Sequence, residues 1–337
     1  MFDVSSVVAK LCKQVPKHLA FEPTDVQLSD LAISASKTNE EPLRFVSLDV
    51  DNQPRINSFN AQFPFDRDVI AIDSTSIVLG YVPEGLVGAI RASVIIKPKG
   101  KKHHRKEQYG AYLVVITNYN KDDLYASTRE MVYGEATRAK APDLRKTLDR
   151  LRSLLERHLQ FEAVKTFNNA LLLVDGSLMA GAVADPVFVI RKLVRDAASH
   201  GNTIVALSKS TTLTLHENQL GILSLVDDIA DACYVGDLRE HIAQQRDRYV
   251  GCVYVGRLTP NGEAFRFDIP ENAALPHEEV FSMVSGLSGE HGYPEALKLA
   301  HMTSVFSSIE VIELQAAAIN LYGLQLRENV RRKLFPM

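Results

Sequence analysis

Cysteine is scarce in this sequence. Cys12, Cys233 and Cys252 are the only three in 337 residues, and no two form a CxxC pair. An odd, scattered set excludes a disulfide framework and a zinc ribbon. Long hydrophobic runs are missing as well: no apolar stretch approaches the roughly 20 residues that a membrane span needs. Met1 to Val15 has no basic start, no continuous apolar run and no small-residue cleavage site. A cytoplasmic protein without membrane attachment is therefore expected. Nor does charge of one sign dominate, since 38 Lys and Arg face 41 Asp and Glu for a net charge of −3. That balance neither requires nor forbids a nucleic-acid partner, so charge has to be read locally. Four catalytic signatures are absent too: the GxxxxGK(S/T) loop, GxGxxG after a strand, the GxSxG elbow and HExxH. Nucleotide hydrolysis, hydride transfer and serine hydrolysis thus have no support in the sequence.

What the sequence does have is apolar residues, 46% of the chain, enough for one large core or two modest ones. Two short aliphatic runs each end on an aspartate: Val69-Ile70-Ala71-Ile72-Asp73 and Leu171-Leu172-Leu173-Val174-Asp175. Such a run followed by small polar residues reads as a buried strand opening into a loop. If the two strands are neighbours, their carboxylates meet, and a close carboxylate pair repels itself unless a cation lies between them. A divalent metal site is one reading. The other is that each Asp only caps a following turn.

Residues 1–40 read as helix and loop, set apart from one domain over 41–337. From Leu43 the pattern is of short strands: 44–50, 69–72, 76–81, 88–96 and 110–117, rich in β-branched residues and broken by Gly, Pro and Lys. The strands around 76–120 look like a β-rich insertion of antiparallel hairpins. Between the last two lies Lys97 to Lys106, with six Lys or Arg and two His in ten residues. A basic hairpin tip suits phosphate-backbone contact through Lys97, Lys99, Lys101, Lys102 and Arg105, or it is a solvated loop.

After Pro142 a helix is predicted, because Leu144, Leu148, Leu151, Leu155 and Leu159 form an amphipathic stripe. It feeds the strand ending at Asp175. A helix over about 186–200 stops at Gly201 and leads into the strand Thr203 to Leu207. A hairpin follows over 249–257 and 264–269, and mostly helix from Pro294 to Leu334. Alternating helix and strand imply a mixed α/β core.

Glu156 lies at the edge of the leucine stripe, 19 residues before Asp175 (175 − 156 = 19). It either folds back onto Asp175 or pairs on the helix surface with Arg152 or His158. Lys209, at the end of the third strand, is a phosphate ligand or a solvated loop lysine. His301 has Leu297 and Val305 one turn to either side. It is a packed core histidine or, at a site, a metal ligand or proton donor. Asp227, Asp228 and Asp231 fall on one helical turn and read as a solvated face, and Asp268 as a weaker candidate at a strand end.

Taken in order, several of these segments resemble the NurA nuclease family. They are Ile72-Asp73-Ser74, Leu151 to Glu156, Leu172 to Leu178 with its Asp-Gly-Ser-Leu step, Ala206 to Ser210, and Tyr293 to His301. The resemblance spans roughly residues 69 to 310. It implies an RNase H-like mixed sheet flanked by helices and a metal-dependent DNA nuclease that prefers Mn²⁺ to Mg²⁺, with room for two ions. It also implies 5′-3′ exonuclease and single-strand endonuclease activity on DNA ends during break resection in homologous recombination. The expected partners are a second copy of the chain, enclosing a central channel, a HerA-type hexameric translocase, and the Mre11–Rad50 end-processing system. On this resemblance Asp73, Glu156, Asp175 and His301 hold the metal, while Lys209 and Tyr293 are secondary contacts. The chain departs from the family pattern in three places. It has Asp-Ser-Thr where Asp-Gly-Ser is usual, His-Met after Ala300 where His-Arg is commoner, and a longer basic loop. Alternatives are a non-catalytic DNA clamp or scaffold of the same fold, and an RNase H-like enzyme acting on RNA. The apolar stretch Ile309–Leu326 fits a dimer or partner surface, or an ordinary core helix.

Overall fold

A computed structural model of the chain describes residues 2–12, 19–24, 44–48, 54–59, 66–134, 140–181, 186–215, 220–242 and 246–326. The expected strand residues 49–50 and the end of the expected C-terminal helix, 327–334, lie outside the described residues.

The centre of the fold is five strands: β4 (Val69–Val82), β5 (Gly85–Lys97), β6 (Arg105–Thr117), β7 (Leu171–Asp175) and β8 (Thr203–Ser208). They are preceded by β1 (Ala20–Pro23), β2 (Arg44–Val46) and β3 (Ile56–Ser58), and followed by β9 (Leu213–Leu215), β10 (Cys233–Val235), β11 (Cys252–Arg257), β12 (Ala264–Ile269) and β13 (Gln325–Leu326). The helices are α1 (Ser5–Leu11), α2 (Lys121–Tyr133), α3 (Leu144–Thr166), α4 (Val187–Ser199), α5 (His277–Gly286), α6 (Glu295–Ser304) and α7 (Ser308–Tyr322).

β4, β5 and β6 form an antiparallel meander, and β7 then joins β4 in parallel with β8 parallel to β7. The resulting order, β6-β5-β4-β7-β8, continues antiparallel through β12, β11, β10 and β3. This is the RNase H-like arrangement. The segments 69–72 and 76–81, read from sequence as two strands, are one 14-residue strand. Its first four residues pair with β7 while Gly80 and Tyr81 pair with β1, so one strand serves two neighbours in succession. β5 pairs with β4, and β6 with β5, over nearly their whole length, so the region around 76–120 is continuous with the central sheet.

Both faces of the sheet are covered, which explains why its strands read as unbroken aliphatic runs. Ile70, Ile72, Leu172, Val174, Ile204 and Ala206 pack with Leu151, Leu155 and Leu159 of α3 and Ile190 and Leu193 of α4. The alternate residues Val69, Ala71, Leu171, Leu173, Val205 and Leu207 pack with Val280, Phe281 and Val284 of α5 and Leu297 and Ala300 of α6. Period-two alternation thus sends odd and even residues of β4 to different layers. α3 comes so close to β5 that a Cβ at Gly88 would sit 2.6 Å from Leu148. α3 begins where the Asp143 side chain accepts from the Lys146 N–H, and α7 begins with a capping box of Ser307 and Glu310. No single helix among the described residues is long and apolar enough to cross a membrane.

Candidate active site

The parallel ladder between β4 and β7 pairs Val69 with Leu171 and continues in step to Ile72 with Val174. The next residue on each strand is an aspartate. Asp73 and Asp175 therefore leave neighbouring strands at the same level. Counting alternation from Val69 and Ala71 on β4, and from Leu171 and Leu173 on β7, both carboxylates face the α5–α6 layer. β7 ends at Asp175 because Gly176 takes φ +115°, a conformation other residues avoid, and its N–H donates to the Leu207 carbonyl at 2.7 Å.

α6 supplies the partners of Asp73. His301 Nδ1 donates to Asp73 Oδ2 at 2.9 Å, and Ser304 Oγ donates to the same oxygen at 3.1 Å. His301 and Ser304 lie three residues apart, so both face Asp73 from one side of the helix. Burial alone would raise the Asp73 pKa. The hydrogen bond and charge of His301, the Ser74 N–H and the charge of Arg152 outweigh burial and hold it below its ordinary value. The same hydrogen bond raises the pKa of His301 against the effect of burial.

Asp175 Oδ2 receives Lys209 Nζ at 3.0 Å, and that ammonium also lies 4.6 Å from the centre of the Tyr293 ring. Tyr293 Oη is buried and, among the described residues, makes no hydrogen bond of ordinary geometry. Burial first, then the charges of Asp175 and Asp73, push its pKa up, so the hydroxyl stays protonated beside two carboxylates. Asp73, Asp175, His301, Lys209 and Tyr293 are thus gathered at one place.

Glu156 stands apart. Ser74, one residue past Asp73, points to the opposite layer and donates its hydroxyl to Glu156 Oε2. Arg152 Nη1 donates to the same oxygen at 3.0 Å and to Ser74 Oγ at 2.9 Å. The helical pairing of Glu156 with Arg152 anticipated from sequence is present, but the strand it meets is β4, at Ser74, and not the Asp175 end of β7. His158 is engaged elsewhere, with its Nε2 2.7 Å from the Asp3 carbonyl. Burial, with the Asp73 charge adding to it against Arg152 and Ser74, raises the Glu156 pKa to about 7. A carboxyl whose pKa burial, and then a neighbouring carboxylate, raise to about 7 is chemically suited to a divalent cation, and the oxygens of both are the hard donors such an ion takes. Among the described residues, however, no three His, Cys, Asp or Glu side chains already surround one point. Arg152, Lys209 and His301 occupy the carboxylates instead.

The basic hairpin is not part of this cluster. Lys97 pairs with Val69, at the end of β4 level with Leu171, whereas Asp175 is at the far end of β7. At about 3.3 Å per residue the tip emerges some 13 Å along β4 from Asp73. Lys101 and Lys102 are exposed there. Lys99 Nζ pairs with Asp66 at 2.6 Å, and Arg105 with Glu107 at 3.1 Å.

Asp268 is a buried structural residue rather than a site carboxylate. Arg266 donates to it twice at 2.7 Å, and its Oδ2 accepts the Leu178 N–H at 2.9 Å. It thereby fixes the loop leaving Asp175. Asp227, Asp228 and Asp231 are exposed, as expected, but follow a short 3-10 turn and do not share an α-helical turn. Sequence reading missed Ser74 and Ser304, which hold Glu156 and Asp73. The only sign of Ser304 was its position three residues after His301.

The NurA domain matches residues 67–306, well over half of the chain. The chain belongs to the NurA family. Its fold resembles the crystal structure of the NurA nuclease from Sulfolobus solfataricus, with a TM-score of 0.52 and 15% identity over 79% of this chain and 88% of that one. A second NurA crystal structure aligns with a TM-score of 0.47 and 10% identity over 82% and 92% of the two chains. Endonuclease V from Streptomyces avermitilis aligns with a TM-score of 0.37 and 11% identity over 80% and 88%. No curated protein matches the sequence.

Proposed function

We propose that this NurA-family chain is a divalent-metal-dependent DNA nuclease. The observation that carries the reading is the level placement of Asp73 and Asp175 on adjacent parallel strands, facing one layer, with Glu156 close enough for its proton to feel Asp73. Asp73 and Asp175 would hold the ion directly, with His301 beside them. Glu156 would join by exchanging Arg152 and Ser74 for the ion. A bound divalent ion supplies an activated water near neutral pH and charge stabilisation on the departing oxygen. The nitrogen of His301 in an otherwise oxygen set favours Mn²⁺ over Mg²⁺.

The chain's own side chains account for the rest. Lys209, now on Asp175, is placed to hold a non-bridging phosphate oxygen once the ion neutralises that carboxylate. His301 carries its proton on Nδ1 toward Asp73, and Ser304 keeps that carboxylate from turning. Tyr293 brings a protonated hydroxyl to the same two carboxylates. The basic tip, about 13 Å from Asp73 by strand rise, would meet the DNA backbone some four base-pair rises from the cut.

Exonuclease and single-strand endonuclease action on broken ends, a homodimer, a HerA-type translocase and cooperation with Mre11–Rad50 belong to this proposal as its biological setting. Exposed Ile309 and Ile312, one turn apart on α7, support a protein-facing surface there. The deciding experiment is cleavage of end-labelled single- and double-stranded DNA in Mn²⁺, Mg²⁺ or EDTA. Mn²⁺-dependent cleavage that disappears in Asp175→Asn is expected. DNA binding without cleavage under every condition would replace the nuclease with a clamp or scaffold.

A further inference from the structure

Beside the carboxylates lies a cleft of about 310 Å³ lined by Lys209, Glu263, Ala264, Phe265, His291 and Tyr293. Three features define what it fits. Its floor is aromatic, with the Phe265 and Tyr293 rings 5.5 Å apart. One wall carries an exposed acid, Glu263, and an exposed imidazole, His291. Its inner rim is Lys209, which also touches Asp175. A phosphate would be repelled by Glu263, whereas a flat ring with a hydrogen-bond donor on its edge would satisfy the floor and the acid together.

The cleft is built rather than incidental. The Glu263 N–H donates to the His291 carbonyl at 3.1 Å, and the Gly262 N–H closes a turn on the Thr259 carbonyl at 3.0 Å. Thr259 Oγ1 donates to the Glu290 carbonyl at 3.3 Å. These bonds fasten the β11–β12 turn to the loop before α6, so the acid and the imidazole are carried on one stitched unit. That unit lies beyond the end of β8, on the side where a strand held by Lys209 would continue.

We propose that this cleft receives the base of a nucleotide flanking the cleavage position and prefers bases bearing an exocyclic amino group. His291 and Tyr293, backed by the buried Phe265, stack the ring, and Glu263 accepts from the amino group, as a carboxylate does from cytosine N4. The inference rests on the nuclease reading and adds a base preference to it.

Cytosine and thymine test it well, because the two pyrimidines stack similarly but only cytosine has the amino group. Binding of end-labelled short oligo(dC) and oligo(dT) to the full chain is measured by fluorescence anisotropy, in EDTA and again in Ca²⁺. The wild-type protein is expected to bind oligo(dC) severalfold more tightly. Glu263→Gln, whose amide serves either base, is expected to bring the ratio close to one. His291→Ala is expected to weaken both ligands by roughly tenfold, the loss of one stacked base. Equal binding of both ligands by the wild type, or a preference that survives Glu263→Gln in a protein with unchanged circular dichroism, overturns the base subsite and leaves the nuclease reading intact. Absence of binding to either ligand in both EDTA and Ca²⁺ overturns both.

Discussion

Asp73 and Asp175 sit one residue past the paired Ile72 and Val174 and face the same layer of the sheet. Two carboxylates at this spacing are tolerable only with positive charge nearby, and the protein supplies it from His301 and Lys209. Exchange of either aspartate for asparagine keeps the shape and removes the charge. Asp73→Asn and Asp175→Asn are therefore expected to weaken Mn²⁺ binding by roughly a hundredfold or more, at least the effect of losing an outer-shell partner. Calorimetric titration of Mn²⁺ into the purified proteins checks this. Unchanged affinity in both variants would remove the pair from the metal site.

Glu156 gives a prediction that needs no substrate. Its pKa is raised from 4.5 to about 7, by burial first and then by Asp73. A raised acid pKa means the folded state binds the proton more tightly than the unfolded chain. Its contribution to stability is full below about pH 4.5 and is lost as pH rises through about 7. Glu156→Gln fixes the neutral form. In EDTA the variant is expected to match the wild type at pH 4.5 and to exceed it at pH 8 by on the order of 2–3 kcal/mol. Mn²⁺ should erase or reverse that gap, because the ion takes the ionised carboxylate. Urea unfolding across pH, with and without Mn²⁺, measures it. A gap independent of pH would mean that Glu156 is ionised throughout.

The basic hairpin lies apart from the carboxylates, so its removal should affect binding and spare chemistry. Replacing Lys97, Lys99, Lys101 and Lys102 with Ala is expected to flatten the dependence of log affinity on log salt by about 0.7–0.9 for each phosphate no longer neutralised. Single-turnover cleavage at saturating DNA should stay near the wild-type rate. An unchanged salt slope would leave the hairpin as a solvated loop.

The main lines of this arrangement could be read from the sequence, for physical reasons. Strands covered on both faces become unbroken aliphatic runs, which is why β7 and the start of β4 stood out with their terminal aspartates. The leucine stripe of α3 was equally plain, because a helix packed on one side must repeat every three to four residues. Adjacency was beyond reach. Whether β4 and β7 are neighbours depends on a pairing across roughly a hundred residues that neither run encodes alone. The continuity of β4 was hidden for a related reason. Its polar middle, Asp73-Ser74-Thr75-Ser76, looks like a loop until Glu156, Asp149, His301 and Ser304 are in place to bond those side chains. The layer of Glu156 was also hidden, since it follows from Ser74 rather than from anything near Glu156 itself.

Asp268 illustrates how a carboxylate that looks functional from sequence can serve by holding another in place. Its two oxygens are filled by Arg266 and the Leu178 N–H, and both charged side chains are almost wholly buried, 3% exposed for Asp268 and 6% for Arg266. Asp268→Ala leaves the guanidinium buried without its counter-charge, so a loss of about 3–5 kcal/mol in unfolding free energy is expected. Replacing both partners by apolar residues, Arg266→Met with Asp268→Leu, removes the stranded charge and leaves only the Leu178 N–H without an acceptor, at about 1–3 kcal/mol. The double variant should therefore be more stable than Asp268→Ala in urea unfolding. Its cleavage should nonetheless stay impaired, because the loop that ends β7 at Asp175 loses its anchor. A shift in kcat with little change in KM separates that positioning role from DNA contact. If the double variant is no more stable than the single one, the cost lies in the loop rather than in the buried pair.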